Sequence, residues 1–513
     1  MKSIFLALSL LCISIYTMGQ KSEKQMFELI TSTVDNPKSS FGFLIHEKGD
    51  LMLYYNADAK RFTLLTLDEN ANEISRIVYS NIHDKIGAIT HASITEDSIY
   101  LLTFFNNKEK ETSYFFHLTI DRKSETVGAL KMIHQVPNDF AILKILESPN
   151  SKYISLFLVK GNLFNLDASS QIILVFDEKL HLNNADNTKI ISSEMGYSVN
   201  GDMTLDDEGN LLYISRGYKS QAEYNEGKSY SIYKYMTKYT VFRRDQLGVL
   251  SIIIYQSHQD YQPLRIVIPE NRYYFREYNL HVLRPDSILF TGAYSLAGSI
   301  NFDGFGAFWL NPYEDESIDT SKISTLPFTL EMRMQGAEEK EKYSLKSTKF
   351  NKELVDFYSL HAIGVFKMGD NYVALQDEMA SFGFSMSLIN NLIALQITPE
   401  GKLVDYKYIL KRQFFSSAYY RNDITAKKYN DKLYIAYTSN SKTNTNNPKS
   451  IFLTSIEENL NHQTDMLDIG EMKINSIRLI GQLMDAKPLI EGKVQFKKDK
   501  EEEVPFNIHI LEP

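Results

Sequence analysis

The residues able to do chemistry in this sequence are few. Tyr218 and Tyr224 stand in a Tyr- and Lys-rich stretch, 216–239, and Arg243 with Arg244 follow in "VFRRDQ". Guanidinium forks recognise anions and phenol rings give broad contact area, so together they would form an anion or glycan contact surface. A solvated hairpin is the plainer reading of the same residues. Trp309, the sole tryptophan, lies in "FDGFGAFWL", where Gly304 and Gly306 permit close backbone approach. An exposed indole there would stack on a sugar face; a buried one would pack between sheets. Asp377 and Glu378 in "ALQDEM" are placed at a strand end, able to face a central funnel. Acid–base catalysis needs two carboxylates in different environments, and neighbours on a strand point to opposite faces. Only one of the pair could meet a partner.

Other signatures fail on spacing. A nucleophile elbow needs G-x-S-x-G, and "GAYSLAG" does not supply it. The 11 histidines include no H-x-H and no H-E-x-x-H, and His83 with His91 read as ordinary strand or turn residues. "LDDEGN" (205–210) lacks the alternating carboxylates of a calcium loop and reads as a β-turn with solvated acids. No catalytic residue, metal ligand or cofactor site is therefore expected.

The elements that must position these residues are strands. The chain has 513 residues, 43% hydrophobic and 23% charged, an ordinary folded composition. Its 32 Tyr and 30 Phe favour sheets over helices. A net charge of −9 argues against nucleic acid or an anionic membrane as partner.

Residues 1–19 read as a signal peptide: Lys2, then the apolar run "IFLALSLLCISIY", then "TMGQ". The run is shorter than the roughly 20 residues of a membrane span, and no later run is long enough either. Cys12, the only cysteine, falls inside this leader, so the mature chain is expected to have neither disulfide nor thiol nucleophile.

Short apolar runs separated by polar turns recur in groups of four. One group is "GAITHASI", "SIYLLTFFN", "SYFFHLTIDR" and "TVGALKMI"; others begin at "SFGFLIHE" and "DFAILKILE". Four more groups carry "NLLYISRGY", "SILFTGAYS", "NYVALQDE" and "KLYIAYTSN" as second runs. In the first of these, "SYSIYKYMTKYTVFRRD" is read as the third run and "GVLSIIIYQ" as the fourth. A four-stranded sheet has two faces it cannot bury alone, and stacking such sheets radially covers both. The pattern predicts an all-β fold, a β-propeller occupying residues 20–513 as one domain, with inserts at about 216–239 and 335–357. Three runs near the C-terminus and one, "QMFELITSTV", near the N-terminus predict an eighth four-stranded blade shared by both chain ends. Seven blades plus a C-terminal appendage is the alternative.

The "MGQ" leader end, the turns "LDDEGN" and "ITPEGK", and the pair "ILFTGAY" and "GFGAFWL" resemble exported β-propeller proteins of Bacteroidota-type bacteria. That resemblance implies export to the periplasm or an outer-membrane-associated complex, with secretion as the alternative. The expected role is a non-catalytic binding or scaffold module contacting a protein or glycan partner. Its rival is a glycan-processing hydrolase or lyase with a funnel site.

Overall fold

The computed structural model describes most of residues 28–512, with 1–27, 218–248, 333–359, 416–423, 440–449, 495–505 and shorter inter-strand stretches outside the description. β1 (Glu28–Val34) opens the chain. Blade 1 follows as β2 (Ser40–Ile45), β3 (Leu51–Asn56), β4 (Arg61–Leu67) and β5 (Glu73–Tyr79). Blade 2 is β6 (Ala88–Ile94), β7 (Ser98–Asn107), β8 (Thr112–Asp121) and β9 (Lys131–Pro137). Blade 3 is β10 (Phe140–Glu147), β11 (Tyr153–Asn162), β12 (Asn165–Asp177) and β13 (Ile191–Ser192). Blade 4 comprises β14 (Ser198–Leu205), β15 (Leu211–Gly217), β16 (Val249–Tyr255) and β17 (Pro263–Ile268). Blade 5 comprises β18 (Tyr273–Arg284), β19 (Ser287–Leu296), β20 (Gly304–Leu310) and β21 (Ser324–Pro327). Blade 6 is built from β22 (Leu360–Met368), β23 (Asn371–Phe382), β24 (Met386–Ile397) and β25 (Leu403–Phe415). Blade 7 uses β26 (Ile424–Tyr429), β27 (Lys432–Ser439), β28 (Ser450–Ile456) and β29 (His462–Asp468). The last three strands are β30 (Ile474–Leu483), β31 (Lys487–Val494) and β32 (Phe506–Glu512).

These make eight four-stranded sheets, each an antiparallel meander in chain order except the last. That one runs β1-β32-β31-β30, with β1 antiparallel to β32 from Glu28↔Glu512 to Val34↔Phe506. First strands of neighbouring blades contact one another from β10 round through β30 to β2 and β6, and blades 2 and 3 share a core, so the ring closes. The fold is an eight-bladed β-propeller whose final blade takes its outermost strand from the N-terminal end.

Alternation explains the repeated apolar runs. On β11, Ile154, Leu156 and Leu158 enter the core between blades 2 and 3, while Phe157 and Val159 enter the core between blades 3 and 4. On β15, Leu212 and Ile214 face blade 5, and Leu211 and Tyr213 face blade 3. A strand buried on both faces must be apolar at every position, which is why second strands were the plainest in the sequence. Outer strands such as β9 are half exposed and read less clearly.

One assignment is corrected. The third strand of blade 4 is β16, within "GVLSIIIYQ", pairing β15 from Leu211↔Tyr255 to Gly217↔Val249, and the fourth is β17. A third strand is enclosed on both sides, and the run Val249–Tyr255 is apolar enough to be buried nearly throughout. The Tyr- and Lys-rich stretch 229–245, expected as the third run, lies outside the described residues.

Antiparallel order fixes which turns share a face of the ring. First-to-second and third-to-fourth turns lie on one side; second-to-third turns and the links between blades lie on the other. The connections 218–248, 328–359, 440–449 and 495–505 all belong to the second side. The first side is tied together from blade to blade. Tyr153 of blade 3 packs against Gly209 in the blade 4 turn, and Glu458 of blade 7 reaches the β22–β23 turn.

Candidate functional site

The first strands are irregular where they line the axis. Their pairing with the second strands shifts register between Ile89 and His91, Ile142 and Lys144, Asn200 and Met203, Phe275 and Glu277, and Ala362 and Gly364. Each bulge bends its strand and re-aims the side chains beyond it. Four of these strands, β10, β14, β18 and β22, enclose a cleft of about 480 Å³. Small-molecule sites are commonly about 300–1,000 Å³.

Lys144, Thr204, Asn279, His281 and Phe366 give the cleft its chemistry. Lys144 Nζ donates to the Met203 carbonyl at 3.1 Å, crossing from blade 3 to blade 4. The Phe366 ring folds over Gly364, where a Cβ would stand 3.1 Å from Cζ, so glycine makes room for the ring. His281 meets the Tyr372 ring edge-on at 5.4 Å, between blades 5 and 6. Burial lowers its pKa to about 4, against a hydrogen bond to the Val365 backbone that raises it; the nearby Lys367 charge lowers it further. His281 is therefore neutral at neutral pH.

Asn279 is 5% exposed and its Nδ2 has no hydrogen-bond partner in the protein. Its cross-strand neighbour Thr291 is 1% exposed with an unpartnered Oγ1. Across the seam, Gln376 is 0% exposed and both its Oε1 and Nε2 lack partners. Native interiors rarely leave such atoms unsatisfied.

The residues expected from sequence fall elsewhere. Tyr218, Tyr224, Arg243 and Arg244 lie outside the described residues. Trp309 is half buried in the seam between blades 5 and 6. Its Nε1 donates to the Pro399 carbonyl at 2.9 Å, and its ring meets Tyr372 edge-on at 5.4 Å. Asp377 and Glu378 are not at a strand end: β23 continues to Phe382, and both sit mid-strand, one strand out from the axis. Asp377 is buried opposite Leu392, on the side facing blade 7. The acids of "LDDEGN" are not all solvated either. Asp206 is 2% exposed and accepts from the backbone N–H of Glu208 and Asn210 and from Asn210 Nδ2. Burial raises its pKa, and those bonds oppose the rise. Among the described residues, no three or more His, Asp or Glu side chains converge as a metal site would require.

The cleft residues could have been noticed as polar letters inside apolar runs, Asn279 in "NLHVL" and Gln376 in "VALQ". Nothing local marks them as neighbours, because the cleft draws a few residues from each of four blades.

No protein-family model matches this chain, and no curated protein sequence matches it either. Solved structures do. The β-propeller domain of the trilobed protease from Pyrococcus furiosus is similar at 9% identity, TM-score 0.38, covering 84% of this chain and 94% of that one. The polysaccharide lyase Uly1 is similar at 8% identity, TM-score 0.39, covering 84% and 91%. The acylaminoacyl peptidase of Pyrococcus horikoshii matches at 10% identity and TM-score 0.36, and this chain spans 50% of its length. The eight-bladed architecture rests on the strand pairing itself. Among the described residues, no helix is long and apolar enough to cross a membrane.

Proposed function

We propose that the protein is a binding or scaffold propeller of the bacterial cell envelope, exported to the periplasm or the outer membrane. It contacts a protein or glycan partner through the face that carries the long connections. The observation behind this reading is the asymmetry of the ring: its two longest connections, 218–248 and 328–359, both join strand ends on one side, whereas the longest on the other side, 178–190 and 311–323, are less than half that length. Rigid scaffolds commonly present recognition residues on such loops. Tyr218, Tyr224, Arg243 and Arg244 lie in one of these segments and remain the proposed contact residues.

The test is cross-linking of the full chain in envelope extract, with mass-spectrometric mapping of the linked lysines. Cross-links concentrated on the connection-rich side, and weakened when Arg243 and Arg244 are both changed to Ser, are the expected result. Cross-links scattered over both faces would contradict it. The alternative, a glycan-processing hydrolase or lyase, draws on one observation: Lys144 and His281 reach the axial cleft from different blades.

A further inference from the structure

The buried amides and hydroxyl beside the axis lie in one layer of the blade 5–blade 6 seam. On blade 5, Asn279, Thr291 and Ala307 stand opposite one another across β18, β19 and β20. On blade 6, Ala362, Gln376 and Ile393 do the same across β22, β23 and β24. Ala307 and Ile393 belong to the same apolar core, so both rows face this seam. Their levels also agree. His281, two residues along from Asn279, bonds the backbone of Val365, whose partner Ala374 is two residues from Gln376, and meets Tyr372, four residues from Gln376.

Asn279 and Ala362 line the cleft as well as the layer. The methyl of Ala362 is the only side chain between Gln376 and the axis in its cross-strand row. Asn279 thus stands in the cleft wall, with Thr291 and Gln376 one strand behind it, so contact with a molecule held there requires these side chains to turn towards the axis.

Leaving such atoms unsatisfied costs each of them the hydrogen bond it had with water. The layer carries no formal charge, yet it offers donors (the two amide groups and the Thr291 hydroxyl) and acceptors (Gln376 Oε1 and Thr291 Oγ1) together. A hydroxyl answers both needs from a single atom. Phe366 lines the same cleft while packing against the blade 6–blade 7 core, and Lys144 adds a further polar group. A compact ring with several hydroxyls and one apolar face combines these features.

We propose that the axial cleft and the Asn279–Thr291–Gln376 layer form a binding site for a neutral sugar ring. This site uses the inner strands and does not depend on the connection-rich face, so either reading can fail alone.

The test is titration calorimetry of the full chain with D-glucose, D-galactose and D-mannose, repeated on Asn279→Leu and Gln376→Leu. Apolar replacements of similar shape relieve unsatisfied groups, so both variants should keep or raise the melting temperature. At least one sugar should bind saturably to the native protein and roughly ten-fold more weakly to each variant, the loss of one good hydrogen bond. Absence of binding by all three sugars would overturn the proposal. So would unchanged affinity in both variants, or a lowered melting temperature in both, which would mark the layer as purely structural.

Discussion

Glu458 hangs from the β28–β29 turn of blade 7, yet its Oε1 accepts from the backbone N–H of Asp370 and Asn371 and from Asn371 Nδ2 in blade 6, at 2.8–3.1 Å. Gly369, at φ +58°, leaves the space this carboxylate needs. Glu458→Ala removes all three bonds at a partly wet site, so a loss of about 1–2 kcal/mol is expected in urea unfolding. Leu180 and Leu460 show a different balance. Both hold positive φ, 59° and 61°, although leucine disfavours that region by about 1–2 kcal/mol. Both are also almost wholly buried, Leu180 between blades 2 and 3 and Leu460 between blades 6 and 7. Burying a leucine is worth about 1.5–3 kcal/mol, so packing outweighs strain. Leu460→Ala should cost about 2–5 kcal/mol, and Leu460→Gly should be no worse despite its smaller side chain, because it releases the strain. A glycine variant clearly less stable than alanine would show that the strain is absent.

At the scale of strands and seams, histidines held neutral by burial give the ring an acid-sensitive core. Burial lowers the pKa of His91, His117, His134 and His281. Neighbouring His181 and Lys131 lower His117 further, and Asp177 opposes them. For His281 the ordinary value is 6.5 and the folded value about 4. Between those values the unfolded chain binds more protons, so stability rises with pH across that window. It is fully present above about pH 6.5 and is lost as pH falls towards 4. The melting temperature should therefore drop between pH 7 and pH 5, and His281→Phe should flatten that slope; an unchanged slope would contradict the buried, neutral His281. The same elements show what was legible in the sequence. Second strands such as β7, β11, β19 and β27 stood out because both faces are buried. First strands such as β14, with "SVNGDMTL", were hidden by a bulge and by the polar letters within the run. Blade 4 was misassigned because the aromatic letters in 229–245 have strand-like composition, whereas the enclosed third position belongs to the more apolar β16. The cleft stayed invisible for a physical reason. Periodicity reports which residues are buried, and Asn279 and Gln376 are buried polar exceptions whose proximity exists only after blades 5 and 6 stack.

Across the whole molecule, each sheet depends on its neighbours, and the ring depends on the shared blade. Deleting β1 would expose one edge of β32 and remove, among the described residues, the pairing that joins the two ends of the chain. The shared blade can be tested through cysteines, since Cys12 in the expected leader is the chain's only thiol. Thr31 lies directly opposite His509, and Thr33 opposite Asn507. The decisive measurement is disulfide formation in the mature chain carrying Thr31→Cys with His509→Cys, read as a mobility shift on a non-reducing gel. A shared final blade predicts a rapid intramolecular bond for this pair and for Thr33→Cys with Asn507→Cys, and little for the out-of-register pair Thr31→Cys with Asn507→Cys. Folded protein whose in-register pairs stay reduced under mild oxidation, or cross-link no faster than the mismatched pair, would contradict the closed eight-bladed ring.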